Sequence, residues 1–487
     1  MIEHGNSSIG HQQIASAYRI VLTGLVLALA SLTIGVRAEA QKPVEFWLTD
    51  PGHSILFRQQ PDEHLTKENE FPQDPVISID EKKTFQHIDG FGWALTGGSA
   101  QVLMRMSPAA RTRLLEQLFT MDSDHIGGSY LRVSIGASDL NDHVFSYDDL
   151  PAGKTDTALE HFDLGPDKND VIPVLQEIIR INPTIKILAS PWSAPVWMKD
   201  NHDTRGGSLL PQYYSVYANY LIQYILAMQQ YGIRIDALTV QNEPLHPGNN
   251  PSMYMPAAAE GEFIKRYLGP DMEADRLDTK IIIYDHNCDR PDYPLSILRD
   301  PGANPFVDGS AFHLYAGSID TLSNVHDSFP DKNLYFTEQW VGAPGNLSKD
   351  LPEHIRKLIV GAVRNWCKTV VEWNLASDPH WQPHTDRGGC DRCLGALTID
   401  GDSVQRNPAY YIIAHAAKFV LPGSARIVSN SDDALPNVAF RTPRGKAVLI
   451  VLNNTNARKS FTVDFRGRRI HPTLEAGAVG SFVFVID

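Results

Sequence analysis

Beyond its first 40 residues the chain has no apolar run long enough to span a bilayer, and nowhere does it carry a block of lysines and arginines. With a formal net charge of −14, the second absence argues against nucleic acid and anionic membrane as partners, because both select basic patches. A neutral partner is left. No G-x-G-x-x-G follows the first strand-like run and no G-x-x-x-x-G-K-[ST] occurs, so nothing asks for a nucleotide crevice. No H-E-x-x-H occurs either, and the histidines show no partners at ligand spacing; neither a metal nor a cofactor is expected. Cysteine is scarce, at four residues. Cys288 and Cys367 stand alone, while Cys390 and Cys393 are three apart and read as a small loop disulfide rather than a redox pair, since no second pair or Cys/His cluster completes a zinc site.

Residues 20–36 are almost wholly apolar, preceded by Arg19 and followed by the small-x-small triplet Ala38-Glu39-Ala40. This is the pattern of an export signal, so residues 1–40 are set aside as a signal peptide. An uncleaved N-terminal signal anchor is the competing reading, and both place the mature body outside the cytoplasm. No stable transmembrane segment is expected once the signal is removed.

The remaining length exceeds the usual ceiling for one hydrophobic core, which predicts a large domain and a smaller one. Short strand-like runs at 44–48, 54–57 and 76–79 have no helix-length periodic stretch between them, and the far end has the same character at 425–428, 438–440, 447–452, 460–463 and 479–485. Two or three strands alone are marginal in water, so residues 41–84 and 422–487 are expected to join in one β-sandwich. The middle, 85–421, alternates eight strand-like runs with amphipathic helix patterns: 91–94, 131–134, 187–190, 237–240, 281–284, 310–313, 334–337 and 369–373. Helices are predicted at 107–119, opening on the cap pair Ser107-Pro108, and at 171–181. Eight such alternations predict a (β/α)8 TIM barrel of the α/β class, with a doubly wound sheet as the fallback.

Catalytic groups of a barrel gather where its strands end. The run Ala237-Leu238-Thr239-Val240 stops at Gln241-Asn242-Glu243-Pro244, and Leu334-Tyr335-Phe336-Thr337 stops at Glu338. Two carboxylates at two strand ends supply what glycoside hydrolysis needs: one gives a proton to the leaving oxygen, the other attacks or activates water. The remaining ends add Asp139, Trp192, Trp197, His313, Tyr315, Trp373 and Asn374. Aromatic faces with amides and carboxylates suit a sugar. Arg132, inside an apolar strand, needs a carboxylate partner; beside Glu338 it would keep that group ionised.

These stretches resemble glycoside hydrolase family 30, the glucosylceramidase-like enzymes. The likeness runs through Gly90-Phe91-Gly92-Trp93, Leu131-Arg132-Val133-Ser134, Ala189-Ser190-Pro191-Trp192, Asn242-Glu243-Pro244, Phe312-His313-Leu314-Tyr315, Phe336-Thr337-Glu338 and Trp373-Asn374-Leu375-Ala376. It implies a barrel fused to a β-sandwich and a retaining mechanism, with Glu243 as acid/base and Glu338 as nucleophile. It also implies that Asp139, Trp192, Asn242 and Trp373 hold the innermost sugar, with His313 and Tyr315 beside the nucleophile. The expected protein is therefore an exported retaining β-glycosidase whose partner is a carbohydrate or glycolipid, such as glucosylceramide, a β-1,6-glucan or a small glycoside. A silent carbohydrate-binding protein on the same scaffold, or an enzyme for β-xylosides or β-fucosides, is the alternative. The aglycone, exo or endo action and the oligomeric state stay open at this level.

Overall fold

The computed structural model describes residues 42–67 and 74–486, so the expected signal segment at 1–40 lies outside the described residues. Eight parallel strands close into a barrel: Gly90–Leu95 (β1), Tyr130–Ile135 (β2), Lys186–Pro191 (β3), Ala237–Thr239 (β4), Lys280–Asn287 (β5), Val307–His313 (β6), Asn333–Glu338 (β7) and Cys367–Glu372 (β8). They follow chain order around the ring, and β8 closes on β1 through pairs such as Val371 with Gly92. Gly92 is required there, because a Cβ would stand 1.8 Å from the Tyr130 carbonyl oxygen. Each predicted run overlaps its strand, with β4 ending at Thr239 and β8 at Glu372. Both faces are covered, and for that reason β1 and β2 are buried at every residue and read as continuous apolar runs. The predicted helices form at Pro108–Phe119 and Val171–Ile181, capped by the side chains of Ser107 and Asp170.

The barrel interior explains where a site can lie. Tyr130, Leu188, Ala237, Ile282, Ala311, Tyr335 and Val371, one from each of β2 to β8, form a separate buried cluster that plugs its lower part. Side chains alternate along a strand, so two residues further on the inward positions are Arg132, Ser190, Thr239, His313, Thr337 and Trp373. That layer is polar except for the indole, and all six residues are buried. An apolar plug below a polar ring leaves the chemistry at the carboxyl-terminal mouth.

Two strands break the alternation. In β5 the pairing with β6 shifts between Tyr284 and His286, and Tyr284 and Asp285 take φ angles of 76° and 52°. In β7 it shifts between Phe336 and Glu338. Each bulge adds a residue to one strand and re-aims the side chains beyond it.

Both ends of the described chain enter one nine-stranded sheet, in the order Ile55–Leu65, Lys42–Asp50, Val479–Val485, Lys446–Leu452, Asn437–Arg441, Ala425–Ser429, Val76–His87, Thr462–Phe465 and Arg468–Ile470. Its core is a separate apolar cluster that includes Phe46, Ile77, Leu449, Phe461 and Phe482. The early strands thus join the sheet through partners at the far end: Phe46 pairs with Phe482, and Ile77 with Val463. His415, on the barrel's last helix Pro408–Ala417, fastens the two parts by bonding Thr49 Oγ1 at 2.7 Å and Ser481 Oγ at 2.8 Å. Burial pushes this imidazole down to about 3, so it makes both bonds as a neutral ring.

Candidate active site

Glu243 reaches the mouth through three residues of non-strand backbone beyond Val240. The Asn242 N–H donates to the Pro191 carbonyl at 2.8 Å and the Glu243 N–H to the Asp285 carbonyl at 3.0 Å, which ties this segment to the ends of β3 and β5. Glu243 itself has φ 43°, a left-handed conformation that a non-glycine residue adopts only when its surroundings impose it. His313, fully buried, stands between the two glutamates: its Nδ1 is 3.1 Å from Glu243 Oε1 and 3.8 Å from Glu338 Oε1. One donor atom from each of the three residues lies within 4.8 Å of the others.

Arg132 occupies the place foreseen for it. Its Nη1 meets Glu338 Oε2 at 2.5 Å, while Nη2 donates to Asn242 Oδ1 at 2.6 Å and to Asp285 Oδ2 at 2.8 Å. Because the guanidinium claims the Asn242 oxygen, the amide nitrogen of that residue is the end left for a ligand. The Tyr315 hydroxyl donates to Glu338 Oε1 at 3.0 Å. Trp192 and Trp373 lie with ring centroids 5.4 Å apart, and the Arg132 guanidinium sits over the Trp192 ring at 4.8 Å. Both indoles therefore lie against the cation as well as walling the site.

A cavity of about 290 Å³ opens above these groups, lined in part by Asp139, Glu243, Tyr315, Glu338 and Trp373. Five of the predicted site residues thus share one space. Trp192 and His313 lie directly behind it, stacked on Trp373 and bonded to Glu243, and Asn242 is joined to Glu338 through Arg132. Asn374 is placed differently: it is fully buried, its Oδ1 accepts from Ser99 Oγ at 3.2 Å, and it faces away from the cavity. Its neighbour Trp373 is the residue of β8 that reaches the mouth. The Cys390 and Cys393 sulfurs are bonded to each other and help line the same cavity. Cys393 packs in a cluster with Trp192 and Trp373.

The strand-end reading passed over Asp285, His286, Asn287, His246, Asn249 and Trp340. Asp285 is the most connected of them. Wholly buried, it accepts from Arg132, Ser190, Thr239 and Thr337 and meets His313 Nε2 at 3.1 Å. Its sequence signal was an apolar run, 281–284, that stops in Asp-His-Asn, the same form that singled out Glu243. Asn287, the last residue of that triplet, lines the cavity from the end of β5, whereas His246, Asn249 and Trp340 line it from segments with no such signature.

Protonation follows from this packing. Burial opposes charge on Asp285, but Arg132 and the bonds from His313 and Thr337 hold it well below the usual carboxylate range. Burial likewise pushes the His313 imidazole down, yet the Glu338, Asp285 and Glu243 carboxylates outweigh it and raise it to about 9. Glu243 is also desolvated, but its contacts with His286 and His313 lower it. The raised imidazole and the lowered carboxyl place the proton of this pair on His313, bonded to an ionised Glu243. Asp139 is pushed up to about 8 by burial and by the charges of Glu338 and Glu243, so at neutral pH it is a hydrogen-bond donor. Burial raises Glu338, with His313 and Arg132 opposing it; the guanidinium at 2.5 Å keeps the ionised form the bonded one at neutral pH.

A (β/α)8 barrel with a β-sandwich at its side and paired glutamates in an aromatic, amide-lined mouth defines a glycoside hydrolase. Comparison with known proteins agrees at both ends of the chain: residues 88–420 match the glycosyl hydrolase family 30 TIM-barrel domain and residues 423–482 the family 30 beta sandwich domain. The chain belongs to glycosyl hydrolase family 30, and it is a β-glycosidase of that family. It is 32% identical over 403 residues to the endo-1,6-beta-D-glucanase BGN16.3 of Trichoderma harzianum, covering 77% of this chain and 80% of that protein. It is 29% identical over 418 residues to the lysosomal acid glucosylceramidase of Mus musculus, covering 80% of this chain and 79% of the other. The solved structure of the endo-beta1,6-glucanase BT3312 superposes with a TM-score of 0.85 at 34% identity, covering 91% of this chain and all of that one.

Proposed function

We propose that the protein is an exported retaining β-glycosidase that cleaves β-1,6-linked glucose chains by double displacement. The observation that carries the mechanism is the closeness of the two carboxylates, with oxygens of Glu243 and Glu338 within 4.8 Å of each other. A direct nucleophile needs carboxyl groups ~5 to 5.5 Å apart, whereas inversion needs ~6.5 to 9.5 Å to admit a water. Glu338, held as carboxylate by Arg132 and oriented by Tyr315, attacks the anomeric carbon. The leaving oxygen takes the proton stored in the Glu243–His313 pair. Asp285 accepts from the far side of the imidazole and so keeps that proton available on the Glu243 side. Once the glycosyl-enzyme forms, the charge of Glu338 is gone, and Glu243 takes a proton from the attacking water. Asp139 and Asn242 give hydrogen bonds to hydroxyls, and Trp373 lies under the apolar face of the ring.

The choice of β-1,6-glucan rests on the names of the relatives above and on the wet rim that His246, Asn249 and Asn287 give the cavity. Glucosylceramide is the second reading, supported by the glucosylceramidase relative. Export rests on the N-terminal signal pattern and on the Cys390–Cys393 bond, which an oxidising compartment preserves. Among the described residues no helix is long and apolar enough to cross a membrane.

Proton NMR of the first anomer released from a β-1,6-gluco-oligosaccharide tests the mechanism; a β product is expected, and an α product overturns it. Glu338→Gln should lose nearly all turnover. Glu243→Gln should still be glycosylated by an activated aryl glucoside and be rescued by azide with retention. Turnover of glucosylceramide but not of the glucan would reverse the choice of substrate.

A further inference from the structure

Two groups of donor side chains among the described residues lie close enough to share a metal ion, and only one of them is the catalytic cluster. The other is Asp148, Asp156 and His161, on the long loop that follows β2 and also carries Asp139. One donor atom from each lies within 4.8 Å of the others. Asp156 holds the imidazole in place, its Oδ2 accepting from both the His161 backbone N–H and ring Nδ1 at 2.8 Å. Asp148 is the anomaly. Only 1% of it is exposed, yet neither carboxylate oxygen has a hydrogen-bond partner. Its fixed bonds are all to the backbone: the Trp197 indole donates to its carbonyl at 3.0 Å, and its N–H donates to Ser146 Oγ at 3.3 Å.

A buried carboxylate without a hydrogen-bond partner is costly. A cation between Asp148 and Asp156 removes that cost. We propose that Asp148, Asp156 and His161 form a divalent-cation site of the zinc type, separate from the catalytic centre, that staples the loop following β2. Two carboxylates and an imidazole match the oxygen and nitrogen preference of zinc; calcium, which takes 6 to 8 oxygens, is not served by a histidine. Donors at ~2.0 to 2.1 Å from one tetrahedral ion lie roughly 3.4 Å apart, so the group has to contract. The His161 side chain, 68% exposed, can supply that movement only by exchanging its bond to Asp156 for the ion, and it leaves the fourth position to water.

The ion would close residues 148–161 into a ring. The flanking Tyr147 is already fixed: it packs against Tyr220 and Tyr224 of the helix Tyr214–Gln230 and against Phe162 of the loop itself, and its hydroxyl donates to Asp167 at 2.6 Å. None of the three proposed ligands belongs to a sequence motif; their spacings of eight and five residues match no metal signature. Only the folded loop brings them together.

The test is calorimetric titration of the EDTA-treated full-length protein with zinc chloride in a non-chelating buffer. The proposal expects one saturable equivalent that survives in Glu243→Gln/Glu338→Gln, where the other donor cluster is disabled, and that weakens at least tenfold in Asp148→Asn and in His161→Ala. Zinc at 100 times its dissociation constant should raise Tm by about 3 °C in the wild type and not in His161→Ala. His161 is mostly exposed, so its removal leaves the fold intact and the test decisive even if Asp148→Asn expresses poorly. Absence of saturable binding overturns the proposal. So does binding unchanged by His161→Ala, or binding lost in Glu243→Gln/Glu338→Gln, which would assign the ion to the catalytic cluster.

Discussion

Replacing Asp285 by Asn keeps the volume of a fully buried side chain and removes its charge, which makes it the sharpest probe of the proton-storage argument. The carboxylate holds Arg132 on one oxygen and His313 on the other. The imidazole is raised from 6.5 to about 9, against the pull of burial, by the carboxylates around it. Glu338, Asp285 and Glu243 together outweigh the burial that opposes them, so loss of the Asp285 charge moves His313 down by roughly 1 unit or more. The alkaline limb of kcat/KM should move with it. Because Asp139 titrates at about 8, the limb is read most cleanly in an Asp139→Asn background, where only the His313 step remains. Arg132, left with Glu338 as its one acidic partner, should cost about 3 kcal/mol of stability, which lowers Tm by about 3 °C in a chain of this size. Activity at pH 6 should fall by a factor of about 100, as expected when a buried partner that orients a catalytic group is lost. Stopped assays on an aryl β-glucoside from pH 4 to 10, with a melting curve at each pH, give all three quantities. An alkaline limb that stays where the single Asp139→Asn variant has it would refute the proton-storage argument.

Three further outcomes follow from the same geometry. In otherwise wild-type protein, Asp139→Asn should change kcat/KM less than about tenfold at pH 6, where the native carboxyl is already neutral, and should flatten the loss above pH 8; initial rates across that range check it. Cys390→Ser/Cys393→Ser, or reduction of the native pair, should raise KM several-fold with kcat little changed, because both cysteines line the cavity beside Asp139 and Cys393 packs against both indoles. His415 is depressed in the folded state, so its contribution to stability is complete above pH 6.5 and is lost as pH falls toward 3. Tm should therefore drop on acidification, and His415→Gln should make the slope between pH 6.5 and 4 shallower.

Residue order alone carried the eight-strand count, because strands covered on both faces must be short continuous apolar runs and those runs are visible without a structure. It also carried the two glutamates, since each ends such a run, and the need of Arg132 for a carboxylate, since a charge inside an apolar strand must be paired. The union of the two chain ends followed from their having too few strands to stand apart. The aim of the side chains was decided elsewhere. Strict alternation from Ile282 would turn Tyr284 inward and Asp285 out; the bulge in β5 reverses this and sets Asp285 under both Arg132 and His313. The same alternation from Tyr335 brings Thr337 inward and sends Glu338 away, and only the added residue in β7 lets both reach the mouth. Asn374 is set behind the cavity lining for the related reason that the chain turns after Trp373 and buries it against Ser99. A bulge is the outcome of how two strands pair, and the pairing energy belongs to both strands together, so neither sequence run contains it alone.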